Sequence, residues 1–316
     1  MIISVVIPTK DRGTKISVCI ESILKQTFLP HEIIIVDSSE KKGLDSMLKR
    51  RFPITHPKIK YIYSKVSLTA ARNIGVKHSS GDLIFFFDDD VILDKDYIKE
   101  VVKVFANDKD GKIGGVMGQI TNVQRIPKDW KDILNLNLSR LFHLPRQGDG
   151  KILLSGFPTS VHGKKRTMKV EFLSGCMMAY RRKVFDTFMF DEQLGKLSGY
   201  CYMEDVDFSY RVSRKYSLIY TPFAKLEHYP SLGKTKEQEH NSTMSIRMQE
   251  MVVNHFYLFK KNMPKHFLNT FTFVLSLLGL LILTLIYKRN PKAFIGWFKG
   301  IITIIMSDFH SSIVSP

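Results

Sequence analysis

The sequence predicts an α/β protein: a Rossmann-like, mainly parallel sheet flanked by helices, followed by a C-terminal membrane helix. Three observations carry this expectation. Short apolar strand-like runs alternate with amphipathic helical runs from the N-terminus to Ile120, the pattern of parallel strands joined by crossover helices. Two of those runs end abruptly in acids, at Asp37 and at Asp88-Asp89-Asp90, and open parallel sheets collect ligands at the C-terminal ends of their strands. Near the other end, Phe267 to Tyr287 is a run of 21 residues without a formal charge, and at about 1.5 Å per residue it reaches across a hydrocarbon core of roughly 30 Å.

Ile2 to Ile7 is β-branched and stops at Pro8-Thr9, so the chain opens on a strand. Ile16, Cys19, Ile20, Ile23 and Leu24 recur at three and four spacing and predict a helix over 15–26. Glu32 to Val36 is the second buried strand and Ile59 to Tyr63 the third, with Pro53 and Pro57 breaking the link between them. Ser67 to His78 reads as a capped helix, Leu83 to Phe87 as a strand buried on both faces, and Lys95 to Phe105 as another amphipathic helix. Ile113 to Ile120 is a further strand, and 121–168 then loses periodicity. Val170 to Tyr180 returns to strand composition with Gly175 at its centre, and Arg181 to Lys183 starts a helix. Ile219 to Leu226 is a last strand with His228 just beyond it.

The chain has 316 residues, 47 Lys and Arg against 30 Asp and Glu, and a net charge of +17. That excess suits an anionic membrane surface, nucleic acid or a phosphorylated substrate. From His228 onward there are ten Lys or Arg against four Asp or Glu, concentrated beside the apolar run. Their placement favours lipid headgroups over a nucleic-acid groove. Cys19, Cys176 and Cys201 lack metal or redox spacing and read as reduced, mostly buried thiols. The N-terminus has no basic region ahead of a long apolar stretch and is no signal peptide.

The acids after Phe87 carry the chemistry. Adjacent carboxylates repel, and a divalent cation neutralises them; solvated acids in a turn are the plainer alternative for the triplet taken alone. Glu204, Asp205 and Asp207 form a second acidic cluster at the start of a helix. Acids favour a helix N-terminus through its dipole, so this cluster also has a structural reading. After it, 241–261 reads as a linking amphipathic helix. Lys288 and Arg289 follow the charge-free run, and the 14 residues 293–306, interrupted by Lys299, form an amphipathic or interfacial tail segment, with a second membrane segment as the alternative.

Together these stretches resemble the family 2 glycosyltransferases of the GT-A fold, over roughly Ile2 to His228. The resemblance rests on Val-Val-Ile-Pro-Thr-Lys-Asp-Arg at the first strand, Ile-Ile-Ile-Val-Asp-Ser-Ser at the second, Ala-Arg-Asn-Ile-Gly, Phe-Asp-Asp-Asp, and Glu-Asp-Val-Asp-Phe-Ser-Tyr-Arg. Asp11 departs from the commoner Asn-Xaa-Arg form of the first motif, and its role is open. The resemblance implies an inverting, metal-assisted sugar transfer from a nucleotide-sugar donor to a hydroxyl. Pro8, Thr9 and Arg12 would border the nucleotide, and Asp37 and Arg72 would hold its base. Asp88, with Asp89 beside it, would hold the ribose or the water shell of a Mn²⁺ or Mg²⁺ ion bound by Asp90. His228 matches a position that supplies a further metal ligand in parts of the family. Asp205 would be the general base, Glu204 would orient the acceptor, and Gly175 would line the acceptor pocket.

The expected organisation is a transferase domain over 1–230, with a nucleotide half at 1–120 and an acceptor half at 121–230. A linking helix over 231–266, a membrane helix over 267–287 and a basic tail over 288–316 follow. A single-pass protein with its catalytic domain on the cytoplasmic side, acting on a lipid-linked glycan or surface polysaccharide, fits this order. Transfer to polyprenyl phosphate is an alternative, against which Glu204-Asp205 leans because an anionic acceptor needs no strong base. From other classes, a sugar-1-phosphate nucleotidyltransferase would want a Gly-rich basic loop after the first strand, and a non-catalytic membrane scaffold would bind no nucleotide.

Overall fold

The computed structural model describes residues 1–40, 43–53, 57–123, 130–196, 201–230, 243–285 and 291–313. In chain order β1 (Ile3–Thr9), α1 (Ile16–Leu24), β2 (Glu32–Asp37), α2 (Leu44–Arg51), β3 (Lys58–Tyr63), α3 (Leu68–His78), β4 (Leu83–Phe87), β5 (Val91–Leu93), α4 (Tyr97–Ala106) and β6 (Ile113–Ile120) come first. Then follow α5 (Trp130–Leu141), β7 (Arg146–Gln147), β8 (Thr159–Ser160), β9 (Met168–Val170), β10 (Met177–Arg181), α6 (Glu204–Ser213), β11 (Ser217–His228) and three helices here numbered α7 (Thr243–Asn262), α8 (Phe267–Leu283) and α9 (Pro291–Ile313). Two compact units result: Met1–Arg125 with Val161–Gln193 and Glu204–Gly233, and Ile126–Ser160 with Leu194–Met203 and Lys234–Pro316.

The first unit is built on a mixed nine-stranded sheet in the order β3-β2-β1-β4-β10-β6-β11-β5, with β9 paired to β11. β3, β2, β1 and β4 run parallel, whereas β10 is antiparallel to both of its neighbours. Every residue of β1, β2 and β4 is buried, which is why these strands read as continuous apolar runs rather than as alternation. β3 lies at the edge and is only partly buried, with Lys58 and Lys60 along it, charges that discourage pairing with another chain. α3 packs hard on β1: a Cβ at Gly75 would stand 2.2 Å from Cγ1 of Val6, so only glycine permits that approach. The C-terminal ends of β1, β2 and β4 bring Thr9, Asp37 and Asp88 to one edge of the sheet.

The opposite edge carries a buried charge network. Glu32 accepts hydrogen bonds from Ser4 Oγ, Ser80 N and Ser80 Oγ, each at 2.7 Å, and pairs with Lys60. Burial alone would raise this carboxyl, but Lys60 and the serines bring it down to about 2. A depressed carboxyl stabilises the fold above its unfolded value and loses that contribution as the pH falls through the folded one. Glu32→Gln is therefore expected to lose about 2 to 3 kcal/mol in urea unfolding at pH 7, with the gap to wild type closing as the pH drops from about 5 toward about 2.

Several elements differ from the sequence expectation. The segment 121–168 contains α5, and α2 fills the link between β2 and β3. The strand expected over 170–180 is two strands, β9 and β10, because Gly175 N is hydrogen-bonded to the Asp205 carboxylate rather than to a neighbouring strand. Where a helix is expected after β10 the chain makes the 3₁₀ turn Arg182–Asp186.

The membrane helix is the largest correction. Among the described residues no helix is long and apolar enough to cross a membrane. α8 has 17 residues, about 25 Å at 1.5 Å per residue, and its Asn269, Thr272, Ser276 and Gly279 are buried. Ser276 Oγ lies 3.2 Å from Nε2 of His255, and Phe273 stacks on Phe259 at 4.3 Å. Counting charges over 267–287 does not register that polar residues at three and four spacing mark a face turned toward protein. Residues 286 and 287 of that run, and 231–242 of the linking segment, lie outside the described residues.

Candidate functional site

β4 ends at Phe87, and the chain turns through Asp88, Asp89 and Asp90 directly into β5. That short strand pairs antiparallel with β11 in the register His228↔Val91. The pairing sets His228 beside Asp90: Nε2 lies 3.1 Å from Asp90 Oδ1 and 4.0 Å from Asp88 Oδ2. Asn122 fixes the strand end, its side chain donating to His228 O at 2.9 Å and accepting from His228 N at 3.0 Å.

The three acids have different surroundings. Asp89 points inward: Thr9 Oγ1 donates to it at 2.6 Å and Arg12 Nε pairs with it at 3.2 Å. Burial pushes Asp89 up to about 7 against the pull of Arg12 and Thr9. Asp90 receives the other arm of Arg12 at 2.9 Å on Oδ2, while its Oδ1 is buried with no formed hydrogen bond. Asp88 is the most exposed of the three at 32%, and burial raises it as well. Burial would lower His228, yet Asp90, Cys176 and Asp88 push it up to about 11. The field that holds a proton on this imidazole is the one that would attract a cation.

One donor atom from each of Asp88, Asp90 and His228 lies within 4.8 Å of the other two. Two carboxylates and an imidazole suit Mn²⁺ or Mg²⁺, and the buried Oδ1 of Asp90 has the His228 imidazole, itself a candidate ligand, 3.1 Å away as an ion-pair partner without a well-formed hydrogen bond. The residues fit a divalent ion.

Across from this cluster stands the second acidic group. Arg72, 1% exposed, bridges the two: Nη1 donates to Glu204 Oε1 at 2.5 Å, and Nη2 reaches Asp88 Oδ1 at 3.5 Å and Gly175 O at 3.2 Å. Burial, and then neighbouring Asp205, push Glu204 up to about 8 despite Arg72. Asp205 is only partly buried, and its two oxygens accept from backbone N–H groups, Oδ2 from Gly175 at 2.8 Å and Oδ1 from Val206 at 2.8 Å. Burial raises it above the ordinary carboxylate value. Met203, immediately before this pair, has φ of +66°, strained backbone of the kind that gathers at functional sites. Asp207 is fully buried and bonded by Arg211 at 3.0 and 2.7 Å, so the third acid of that motif is structural.

Gly175 lies between Arg72 and Asp205. A Cβ there would stand 3.0 Å from both Arg72 Nη2 and Glu204 Oε1 and 3.3 Å from Asp205 Cβ. Gly175→Ala is expected to slow transfer by about tenfold or more, since sub-ångström displacement of reacting groups is costly, with little change in melting temperature. Steady-state rates and a thermal melt check it.

The structure gathers Thr9, Arg12, Arg72, Asp88, Asp89, Asp90, Gly175, Glu204, Asp205 and His228 into a connected network at one sheet edge. Pro8 is buried within β1 and pairs in register with Val36. Asp11, at φ of +55°, accepts from Glu40 N at 3.0 Å. Asp37 is completely buried and accepts from Ser39 N at 2.9 Å and Tyr61 OH at 2.8 Å. Both expected base-holding residues are thus occupied within the protein, Arg72 as the bridge and Asp37 in its own network. The sequence gives no site role to Asn122, Tyr61, Ser39 or Cys176; Ser39 lies in the motif that ends the second strand, while Asn122 and Tyr61 carry no motif and act through strand register.

A mixed sheet with metal-fitting acids at the end of a central strand and a second carboxylate across from them defines an α/β transferase of the GT-A-like class. The family described as glycosyl transferase family 2 matches residues 4–188, and the chain belongs to that family. It is similar to a hyaluronan synthase from Pasteurella multocida, 25% identical over 281 residues, 83% of this chain and 28% of that protein. It is also similar to the glycosyltransferase YwdF of Bacillus subtilis, 35% identical over 103 residues, 33% of this chain and 38% of that one. The chain thus spans well under half the length of either relative. Among solved structures, a mannosyltransferase from Pyrobaculum calidifontis in complex with GDP-Man and Mn²⁺ superposes with a TM-score of 0.54 at 17% identity, covering 99% of this chain and 81% of that one. GalNAc-T7 with UDP, GalNAc and Mn²⁺ gives 0.55 at 17% identity, over 80% of this chain and 48% of that one. These likenesses show the fold.

Proposed function

We propose that the chain is an inverting glycosyltransferase that moves a sugar from a nucleotide-sugar donor to a hydroxyl of a lipid-linked glycan or surface polysaccharide. The observation that carries this reading is the Arg72 bridge, which links the acid-His cluster to the Glu204-Asp205 pair within one network. Asp88, Asp90 and His228 would hold Mn²⁺ or Mg²⁺, whose charge offsets that developing on a diphosphate leaving group. Arg12, tied to Asp89 and Asp90, keeps those carboxylates in place beside the nucleotide. Thr9 and Pro8, at the end of β1, border the nucleotide on the same edge.

Asp205 removes the proton of the acceptor hydroxyl as that oxygen attacks the anomeric carbon opposite the departing nucleotide, so configuration inverts in one displacement. Its backbone hydrogen bonds aim the carboxylate without neutralising it. Glu204, locked to Arg72, orients rather than deprotonates the acceptor. Asp37 and Tyr61 shape the floor under the nucleotide base. Because nucleotide sugars are cytoplasmic metabolites, the catalytic unit would face the cytoplasm.

Thermal shift with a panel of nucleotide sugars tests the reading. At least one should raise the melting temperature with Mn²⁺ present and fail to do so without it, and the same donor should pass labelled sugar into a lipid or polysaccharide extract. No shift with any nucleotide sugar and Mn²⁺ would overturn it.

A further inference from the structure

Within the second unit, α8 and α9 each have two faces. α8 buries Asn269, Thr272, Phe273, Ser276 and Gly279. α9 buries Ala293, Gly296 and Gly300, with Gly296 against the backbone of Ser245 and Gly300 against Val252, both on α7. The two helices are joined where Trp297 Nε1 donates to Leu277 O at 3.0 Å.

Their other faces are bare and apolar. On α8, Phe267, Phe271, Val274 and Leu278 are exposed by 85%, 52%, 57% and 47%. On α9, Phe294, Phe298, Ile302 and Ile305 are exposed by 41%, 54%, 47% and 57%. Spacings of four, three and four, and of four, four and three, put each set on a single stripe. Isolated exposed apolar side chains are ordinary, but contiguous stripes of this size mark an interaction surface.

Charge identifies the occupant. Between Glu250 and Asp308 the chain has no acidic residue, but it has Lys260, Lys261, Lys265, Lys288, Arg289, Lys292 and Lys299. Lys265 and Lys292 stand at the starts of the two helices, and exposed Lys299 flanks the α9 stripe, where a long stem can run along apolar surface and keep its ammonium at a headgroup. A second copy would bring like charges face to face; an anionic bilayer answers them. α8 has already given one face to protein, so it can lie in an interface without crossing it.

We propose that the α8/α9 face docks in the plane of an anionic lipid bilayer, with the aromatic and aliphatic stripes in the acyl boundary and the lysines on lipid phosphates. This contact stands apart from the transfer chemistry and is read by lipid binding alone.

Flotation of the full chain with phosphatidylcholine vesicles, with and without phosphatidylglycerol, tests it. Binding should require the anionic lipid and weaken with salt. The double variant Phe271→Asp with Phe298→Asp should bind about tenfold more weakly or worse, and Lys265→Glu, Lys292→Glu and Lys299→Glu together about a hundredfold more weakly, all with wild-type circular dichroism and melting. Failure of the wild-type chain to float with anionic vesicles would overturn the proposal. So would bilayer association that survives an alkaline carbonate wash, which marks a spanning helix. Dimers that the Phe→Asp changes disperse, with no vesicle binding, would assign the surface to a second copy instead.

Discussion

Asp205→Asn is expected to reduce sugar transfer by roughly 10²- to 10⁴-fold, the range that a positioned general base contributes, while donor affinity changes by no more than a few-fold. The geometry separates it from its neighbour. Glu204 Oε1 is held by Arg72 at 2.5 Å, so that carboxyl is committed to the guanidinium rather than to an acceptor proton. Asp205 is partly exposed and fixed by Gly175 N and Val206 N, with no cationic hydrogen-bond partner among the described residues. An amide in its place keeps the size and one acceptor oxygen but cannot take a proton. Rates and calorimetric titration of the nucleotide diphosphate, measured on the same preparation, give the answer; a variant with wild-type turnover would remove Asp205 from the mechanism. The acid limb of the wild-type pH profile should lie above the ordinary carboxylate range, because burial raises this group and only its ionised form accepts the proton. In the Asn variant that limb should disappear.

The most legible part of the chain was the sheet edge. β4 is apolar throughout because both of its faces are buried, and the acids begin where the chain leaves the strand, so composition marks both strand and candidate site. Arg72 was identifiable by position, yet its task was hidden: Glu204 lies 132 residues further on, and only the fold makes them partners. His228 was a lone histidine in the sequence; the antiparallel register of β5 and β11 makes it a neighbour of Asp90. In the acidic cluster of α6 the resemblance distinguishes Asp205 from Glu204, and the fold gives the physical division: one acid paired with Arg72, one held by backbone and one neutralised by Arg211. Over α8 sequence and structure part for the converse reason. Hydropathy sums over a window and discards phase, and the phase of Asn269, Thr272 and Ser276 is what separates a helix packed on protein from one surrounded by lipid.

The second large effect is expected at Asp90. Asp90→Asn should abolish the Mn²⁺-dependent part of nucleotide-diphosphate binding and lower transfer by about 10²-fold or more, because it removes a formal charge from the donor set and replaces an oxygen donor with an amide. Its Oδ1 is the buried acceptor without a formed hydrogen bond, 3.1 Å from His228 Nε2, and its Oδ2 holds Arg12. Asp89→Asn is the informative control. That carboxylate is already committed to Thr9 and Arg12 and is pushed up to about 7 by burial, so its neutral replacement should leave Mn²⁺ dependence in place and cost no more than about tenfold in rate. Titration of the nucleotide diphosphate with and without Mn²⁺ across both variants separates the cases. Equal losses at the two positions would mean that the triplet acts as a diffuse negative patch, and retained Mn²⁺ dependence in Asp90→Asn would place the ion elsewhere.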